Sequence, residues 1–318
     1  MKKELGTTFL GFTNPFGDKE QPPKNNGGEG SPTNHINREP LSNPRQERIE
    51  WWINAPEKII KYEAGDVRDQ NGNIIYTYER GSRLLIGDEE KGEAIEVMDT
   101  CETPWADLTV RRAFEELGKI DHPVKVLERG FGMGRTATRV IDQLVANYGG
   151  SYTVIELNKA DAAYANGEWK SDQEGGIQQR SRSRGEPTNG SKVSIRVIEG
   201  EAYQETAKLA KQGEKFDIII SDTFPLTKAE EGTNDLGDLE TLIHCLNPTG
   251  VFTFFAYFPG STGNMNHEQL SKVVGNFRHY DGGSQAIVNP PPDYKYLNLE
   301  GTGPVRSLPV VICKNPIL

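Results

Sequence analysis

The stretch VKVLERGFGMG, residues 124–134, joins a short apolar strand to a glycine-rich turn. After the turn, one face of a helical pattern carries Val140, Ile141, Leu144 and Val145. A turn of this kind lets the backbone pass close to a ligand, while the N-terminus of the next helix offers free N–H groups. Strand, turn and helix together predict a nucleotide or carboxylate site at the start of an α/β domain.

Beyond this unit, strand-like and helical patterns alternate along the chain. Apolar strand-like runs occupy 152–156, 193–198, 216–221 and 250–255, and helical patterns lie at 236–246 and 270–277. Upstream, Thr103-Pro104 predicts a helix start with a capping hydroxyl and a proline at the first helical position. Nearly continuous apolar runs suit strands covered on both faces. The order predicts an α/β fold with a doubly wound, mostly parallel, Rossmann-like sheet.

Further residues support a nucleoside ligand. Glu156 ends the strand after the glycine turn, where a carboxylate can accept both ribose hydroxyls. Residues 200–203 follow the third strand and can line an adenine pocket, and Asp222 lies at the end of the fourth. Ligands of open α/β sheets bind along that edge. The spacing fits a dinucleotide as well as S-adenosylmethionine, and the glycines could also serve only strand-to-helix packing.

Composition narrows the classes of partner. The chain has 318 residues, 35% of them apolar, and a formal net charge of -10. Since phosphate neutralisation needs clustered Lys and Arg, we expect no nucleic-acid partner and a small substrate instead. No apolar run approaches the roughly 18 residues of a membrane span, and Met1-Lys2-Lys3 does not begin a signal peptide, so we expect no membrane contact and a cytoplasmic location. Three cysteines without a CxxC pair predict neither a disulfide nor a metal site.

Shifts in composition predict three parts. Residues 1–48 are crowded with Pro, Gly, Asn and charged residues, which is typical of a disordered or mobile tail. Residues 49–97 predict a small N-terminal cap, and residues 98–318 the catalytic domain. The cap's strand-like runs are 74–78 and 82–87. The polar stretch 171–192 predicts a surface insertion, whose arginines could also bind an acidic partner.

Four stretches resemble the guanidinoacetate N-methyltransferases and the related fungal arginine N-methyltransferases. They are Val97-Met98 with Glu102-Thr103-Pro104-Trp105, then 126–133, 216–226 and 290–296. The similarity runs from about residue 97 to the C-terminus. General methyltransferases share the glycine turn, but the Glu-Thr-Pro helix start combined with Asp-Thr-aromatic-Pro-Leu is more distinctive. The resemblance implies a class I S-adenosylmethionine-dependent methyltransferase that acts on a guanidino group.

By this resemblance Glu102 and Asp222 would hold the substrate guanidinium. A guanidinium has a pKa above about 12 and is a poor nucleophile while protonated, so an enzyme must orient one nitrogen and accept its proton. Two carboxylates suit its forked donors. Asp222 would be the proton acceptor and Glu102 the orienting partner. Alternatively, Glu102 lies in the first turn of its helix only because the helix dipole favours an acid there, and Asp222 only caps a loop.

The same resemblance implies the contacts of the cofactor, S-adenosylmethionine. They are Met98, then Gly130, Phe131, Gly132, Met133, Gly134 and Arg135 in the turn, Glu156, Leu157 and Asn158 at the ribose, and Ala202 and Tyr203 at the adenine. Tyr257 and Phe258 align with the backbone that holds the substrate's carboxylate, but they differ from the family's smaller residues, which leaves room for another substrate tail. An N-terminal aromatic covers the cofactor in the family, so Trp51 or Trp52 would do so here unless both simply pack the cap.

The leading hypothesis is methylation of guanidinoacetate, arginine or a related guanidino metabolite. The long tail and the arginine-rich insertion leave open a peptide or protein arginine as substrate. An aminopropyltransferase shares the fold but usually has Asp-x-x-Asp after the fourth strand, whereas Asp222 is followed by Thr223, Phe224 and Pro225. A non-catalytic nucleoside-binding protein and a homodimer are also compatible with the sequence.

Overall fold

The described chain begins with a helix that contains the paired tryptophans. A computed structural model of the protein describes residues 44–88, 94–183, 193–223, 226, 236–255, 267–287, 291, 294 and 306–317. Helix α1 (Pro44–Asn54) is the first element. The predicted boundary of the tail at residue 48 therefore falls inside a helix, and residues 1–43 of that tail lie outside the described residues.

Five strands follow α1 in the cap. They are β1 (Glu57–Tyr62), β2 (Gly65–Arg68), β3 (Ile74–Tyr78), β4 (Gly81–Ile86) and β5 (Ile95–Asp99). Strands β1, β4 and β5 form an antiparallel sheet in that order, and β2 pairs with β3 in a hairpin. The runs predicted at 74–78 and 82–87 are confirmed as β3 and β4. Strands β1, β2 and β5 were not predicted, because charged residues interrupt their apolar ones.

Helices and strands alternate in the rest of the described chain. They are α2 (Thr103–Leu117), β6 (Val124–Arg129), α3 (Arg135–Gln143), β7 (Gly150–Glu156), α4 (Lys159–Tyr164), α5 (Lys170–Ser183), β8 (Val193–Glu199), α6 (Ala202–Lys211), β9 (Phe216–Ser221), α7 (Leu239–Cys245), β10 (Leu246–Phe255), α8 (His267–Val274), β11 (Phe277–Ile287) and β12 (Arg306–Pro316). A 3-10 turn at Thr100–Glu102 precedes α2. The strands predicted from residue 124 onward are confirmed as β6 to β10.

The central sheet has seven strands in the order β11-β12-β10-β9-β6-β7-β8. The five strands from β10 to β8 are parallel, while β12 runs antiparallel to both β10 and β11. The chain first builds outward from β6 to β8 and then crosses to β9 on the other side of β6. This reversal is the switch point of a Rossmann-like sheet, where ligands bind at the carboxyl ends of the strands. The predicted doubly wound α/β fold is confirmed.

Two apolar clusters cover the two faces of this sheet. On one face, α2 and α3 pack against Val126, Val154 and Ile218. On the other, α6, α7 and α8 pack against Leu127 and Ile219. Neighbouring residues of one strand thus point to opposite faces and are both buried. This explains why the sequence of each central strand is apolar throughout rather than alternating.

One predicted helix cap and one predicted helix end are wrong. Thr103 does not cap α2, because its hydroxyl donates to the carbonyl of Thr100 at 2.7 Å. The helix instead continues from the 3-10 turn, which is capped by the Asp99 side chain. The helix predicted over 270–277 ends at Val274, and Phe277 begins β11. Phe277 is buried and stacks on Phe252 of the sheet, so its apolar character reflects packing that a strand can also provide.

The predicted insertion at 171–192 begins within helix α5. Its side chains at 171–176 are exposed or half-exposed, and residues 184–192 lie outside the described part of the chain. Among the residues described, no helix combines the length and apolar character of a membrane span. Within the same residues, no cluster of His, Cys, Asp and Glu is suited to hold a metal ion.

Candidate active site

The glycine turn lies at the switch point between β6 and β9. Gly130, Gly132 and Gly134 adopt φ angles of 85°, 51° and 68°, a region that L side chains rarely enter. A Cβ atom on Gly130 would lie 2.1 Å from the carbonyl oxygen of Asp222. The amide of Asp222 also donates to the carbonyl of Arg129 at 2.9 Å. Glycine at 130 is thus required by the close approach of the Asp222 backbone.

The cap borders the turn. A Cβ on Gly132 would lie 3.2 Å from Met98 Cε, at the end of β5. Met133 and Leu157, which follow β6 and β7, pack against the cap's apolar cluster, and Leu226, after β9, belongs to it. That cluster is otherwise formed by Ile49, Trp52, Ala55, Leu84 and Ile86. The cap therefore covers three loops at the carboxyl edge of the sheet. The sequence allowed Trp52 either to cover the cofactor or to pack the cap, and its side chain packs in the cap.

Glu156, the predicted ribose acid, is buried beneath the turn. Its two carboxyl oxygens accept the amides of Phe131 at 2.8 Å and Asn158 at 2.7 Å. Burial raises the pKa of Glu156, and these backbone donors oppose the rise. The carboxyl oxygens have lone pairs beyond these two hydrogen bonds, so Glu156 has the chemistry of a hydroxyl acceptor at the position that the sequence predicts for the ribose.

A second carboxyl group, Glu128, lies deeper in the sheet. It is 1% exposed and accepts the hydroxyl of Tyr152 at 2.7 Å. Burial, with smaller contributions from the negative charges of Asp222 and Glu156, raises its pKa well above the usual range. The hydrogen bond to Tyr152 links β6 to the neighbouring strand β7.

Asn158, predicted near the ribose, uses its side chain to connect three elements. Its Nδ2 donates to the carbonyls of Trp52 at 3.0 Å and Ala55 at 2.9 Å. Its Oδ1 accepts the amides of Ala160 and Asp161 and so caps α4. An asparagine side chain has two donors and two acceptor sites, and all four are used. The side chain of Asn158 thus joins the cap to the sheet, and its predicted place beside the ribose stays a prediction.

Tyr203, predicted at the adenine together with Ala202, lies at the start of α6. Its hydroxyl accepts the amide of Gly237 at 2.9 Å. The guanidinium carbons of Arg45 and Arg129 lie 4.7 Å and 5.5 Å from its ring centroid. Arg45 also pairs with Glu201, the N-cap of α6, at 2.8 Å. A base stacked on this ring would therefore compete with a guanidinium of the first helix.

Glu102 is buried at the start of α2. Its carboxylate accepts the hydroxyl of Tyr294 at 2.9 Å, and both side chains are largely inaccessible to solvent. The 3-10 turn that presents it is capped by Asp99, which accepts the amide of Cys101 at 2.9 Å and the hydroxyl of Tyr62 at 2.6 Å. Arg83 Nε lies 3.6 Å from the other Asp99 oxygen. A buried polar network of the cap thus positions the turn that holds Glu102.

Arg135 connects the glycine turn to the same network. Its guanidinium donates to the hydroxyls of Thr100 at 2.8 Å and Thr103 at 3.1 Å. Burial lowers its pKa, and the nearby charges of Asp99 and Glu102 act against this. Glu102 is therefore near the end of the glycine turn, while Asp222 adjoins its beginning.

The structure describes some of the remaining predicted site residues and not others. Asp222 and Thr223 are half-buried beyond β9, whereas Tyr257 and Phe258 lie outside the described residues.

The sequence predicted no role for Asp99, Tyr294 or Arg45. The signal for Asp99 was present, since an aspartate before a turn is a common helix cap. Tyr294 and Arg45 act on residues more than 150 positions away, for which a single sequence has no local signal.

Comparisons with known proteins identify no close relative. No protein-family model matches the chain, and no curated protein sequence matches it either. The chain is similar to a spermidine synthase structure from Thermotoga maritima at 15% identity, with 81% of this chain and 73% of the other covered and a TM-score of 0.42. A spermidine synthase in complex with the transition-state analogue AdoDATO gives 13% identity, 82% and 83% coverage and a TM-score of 0.45. A Klebsiella pneumoniae protein described as an O-methyltransferase gives 15% identity, 69% and 81% coverage and a TM-score of 0.40. The fold assignment depends on the strand order, not on these distant likenesses.

Proposed function

We propose that the protein is an S-adenosylmethionine-dependent N-methyltransferase that acts on the guanidino group of a small molecule. The observation that supports this most directly is the placement of an acid near each end of the glycine turn. Asp222 adjoins Gly130, and Glu102 lies near Arg135. A guanidinium bound by these two acids would lie beside a cofactor held on the turn.

The turn fits a nucleoside cofactor that carries a positive charge. Glycines with φ angles from 51° to 85° bring bare backbone to the carboxyl edge of the sheet. Glu156 lies beneath the turn as a hydroxyl acceptor for the ribose, and the acidic surroundings favour a cation. S-adenosylmethionine, when bound, supplies an electrophilic methyl group on a sulfonium centre.

The residues of the chain would orient the acceptor and take its proton. The guanidinium donates a pair of hydrogen bonds to Glu102, whose carboxylate is held by the Tyr294 hydroxyl. A carboxylate oxygen of Asp222 accepts the N–H proton that the guanidinium releases on methylation. The backbone of Asp222 is held against Gly130 and Arg129, which keeps this base at a defined distance from the turn.

Aminopropyl transfer to an amine is a second candidate. The observation in its favour is the acidic environment, since Glu156 lies beneath the turn and Asp222 adjoins Gly130. These acids would also suit a decarboxylated cofactor that lacks a negative charge. The Asp-x-x-Asp pattern expected after the fourth strand is missing, because Thr223, Phe224 and Pro225 follow Asp222. Methyl transfer to a guanidine remains the function that the site supports better.

The test is a transfer assay with two labelled cofactors and a panel of acceptors. S-adenosylmethionine labelled in the methyl group is offered with guanidinoacetate, arginine, agmatine and an arginine peptide. Decarboxylated S-adenosylmethionine labelled in the aminopropyl group is offered with putrescine and spermidine. We expect label from the first cofactor in a free guanidino compound. Label only in putrescine or spermidine, or methyl label in none of the guanidino compounds, would contradict the proposal.

A peptide substrate is tested with a truncated chain. Deletion of residues 1–43 leaves α1 intact, including Arg45 and its ion pair with Glu201. If the tail helps to bind a peptide, the truncation lowers turnover of the peptide more than turnover of free guanidines. Equal losses with both substrates would argue against a peptide role.

A further inference from the structure

One buried hydrogen bond joins the C-terminal part of the chain to the start of α2. The hydroxyl of Tyr294 donates to Glu102 Oε1 at 2.9 Å across 192 positions of sequence. Tyr294 is 2% exposed and Glu102 is 6% exposed. Neither contact partner belongs to the glycine turn, so this hydrogen bond is not explained by the cofactor site.

The position of Tyr294 is itself well determined. Its amide donates to the carbonyl of Pro291 at 3.0 Å. Its ring belongs to the larger apolar cluster, together with Trp105 of α2 and Val310 of β12. A ring fixed in this way presents its hydroxyl in one direction, so the hydrogen bond restrains the carboxylate and not the tyrosine.

A buried carboxylate needs such a donor. Removing a charged group from water is costly unless hydrogen bonds or an opposite charge compensate. Hydrogen bonds to an ionised group are roughly twice as strong as those between neutral groups, and a hydrogen bond to the charged form of an acid favours that form. The Tyr294 hydroxyl therefore both orients Glu102 and favours its ionised state.

We propose that Tyr294 is a positioning residue for the guanidino substrate, acting through Glu102. This rests on the proposed function, since Glu102 is the orienting acid there. By holding Oε1, Tyr294 fixes the plane of the carboxylate and so the direction in which its lone pairs accept from the substrate. Tyr294 thus supports a proposed substrate site whose two acids come from the start of α2 and from the end of β9.

The test compares Tyr294→Phe with wild type on the guanidino acceptor found in the transfer assay. Phenylalanine keeps the ring and its packing and removes only the hydroxyl. We expect kcat/KM for the guanidino substrate to fall roughly ten- to a hundredfold, with both a lower kcat and a higher KM. The cofactor Kd should change by less than about threefold, because Tyr294 bonds to Glu102, which in the proposed site holds the substrate and not the cofactor. The acidic limb of the kcat/KM pH profile should move to higher pH, because the Glu102 carboxylate loses a donor that favours its charged form.

Tyr148→Phe is the matched control. The Tyr148 hydroxyl donates to the carbonyl of Phe114 at 3.4 Å, also on α2 but far from Glu102 in the helix. This variant should keep the wild-type pH profile and kcat/KM. Glu102→Gln and the double variant complete a thermodynamic cycle, in which the effect of Tyr294→Phe should largely disappear once Glu102 is neutral.

The outcomes separate the two proposals. If wild type methylates a guanidine and Tyr294→Phe shows the same kcat/KM and pH profile, the positioning role is wrong and the proposed function stands. If Tyr294→Phe lowers kcat/KM equally in the presence and absence of the Glu102 carboxylate, the hydroxyl acts through another group and the inference is also overturned. A wild-type protein that methylates no guanidino compound overturns both.

Discussion

The side chain of Asn158 donates a hydrogen bond to the carbonyl of Trp52 at 3.0 Å, and this contact joins the central sheet to the cap. The same Nδ2 holds the carbonyl of Ala55, and Oδ1 caps α4. One side chain thus connects three elements next to the glycine turn. The cap is consequently a fixed part of the site in this conformation rather than a separate appendage.

We expect Asn158→Ala to destabilise the protein by about 2–4 kcal/mol, because it removes a helix cap and leaves two buried carbonyls without their donor. Urea unfolding measures this change in the free energy of unfolding. Asn158→Asp is the informative comparison, since it keeps the cap of α4 but cannot donate to Trp52 and Ala55. A loss below about 0.5 kcal/mol in both variants would show that the cap is not held by this side chain.

We expect Gly130→Ala to destabilise the protein more than an alanine at another position with the same positive φ. Gly72 has nearly the same conformation, with φ of 83° against 85°, but a Cβ there would meet no atom within 4 Å. Both substitutions place alanine in a left-handed conformation, at a cost of about 1–2 kcal/mol. Only Gly130→Ala also brings a Cβ against the Asp222 carbonyl.

We therefore expect Gly130→Ala to lower both thermal stability and S-adenosylmethionine affinity, whereas Gly72→Ala lowers stability slightly and leaves affinity unchanged. Differential scanning fluorimetry with and without the cofactor measures both quantities. Equal effects of the two variants would show that the approach of Asp222 does not constrain the turn.

A pair of carboxyl groups makes stability sensitive to alkaline pH. Asp161 of α4 shares a side-chain hydrogen bond with Glu57 of β1. Burial, then this hydrogen bond and the negative charges of Glu156 and Glu57, raises the pKa of Asp161 well above its ordinary value of 3.8. Since the pKa is higher in the folded state, the stabilising effect is complete below the ordinary value and is lost as pH rises through the raised one.

We expect the free energy of unfolding to decrease as pH rises from about 4 to about 10, the pKa of Asp161 in the folded state, and to decrease less steeply in Asp161→Asn, which cannot ionise. The asparagine side chain of this variant can still donate to Glu57, so the variant tests the charge and not the contact. Chemical unfolding at several pH values gives the two slopes. Parallel slopes would exclude Asp161 as the group responsible.

Asp222→Asn should separate binding from chemistry. The backbone of Asp222 meets Gly130, and an asparagine keeps that backbone. We expect turnover to fall by about 10²–10⁴, as for loss of a positioned base, while cofactor affinity stays within a few-fold. Asp121→Asn, at an exposed position, is the control. Loss of cofactor binding with unchanged turnover at saturation would contradict the role proposed for Asp222.

The sequence by itself determined the five parallel strands of the central sheet, β6 to β10, whereas β11 and β12 were not predicted. Continuous apolar runs at β6 to β10 and the glycine turn after β6 are local features, and burial on both faces produces them whatever the rest of the chain does. They were sufficient to predict the doubly wound order and the position of the turn. The start of α2 was predicted, but its cap was not, because Thr103 and Asp99 both have the chemistry of a capping residue.

Tertiary structure alone decided which polar side chains are available to a ligand. Asn158 follows its strand as a ribose-binding residue would, but α1 packs above it and uses its whole side chain. Arg45 lies over Tyr203, and Tyr294 reaches Glu102, through contacts between segments far apart in the chain. The periodicity of apolar residues indicates whether a residue is buried. The partner of a buried polar atom depends instead on which elements pack together, and a local stretch of sequence does not specify that packing.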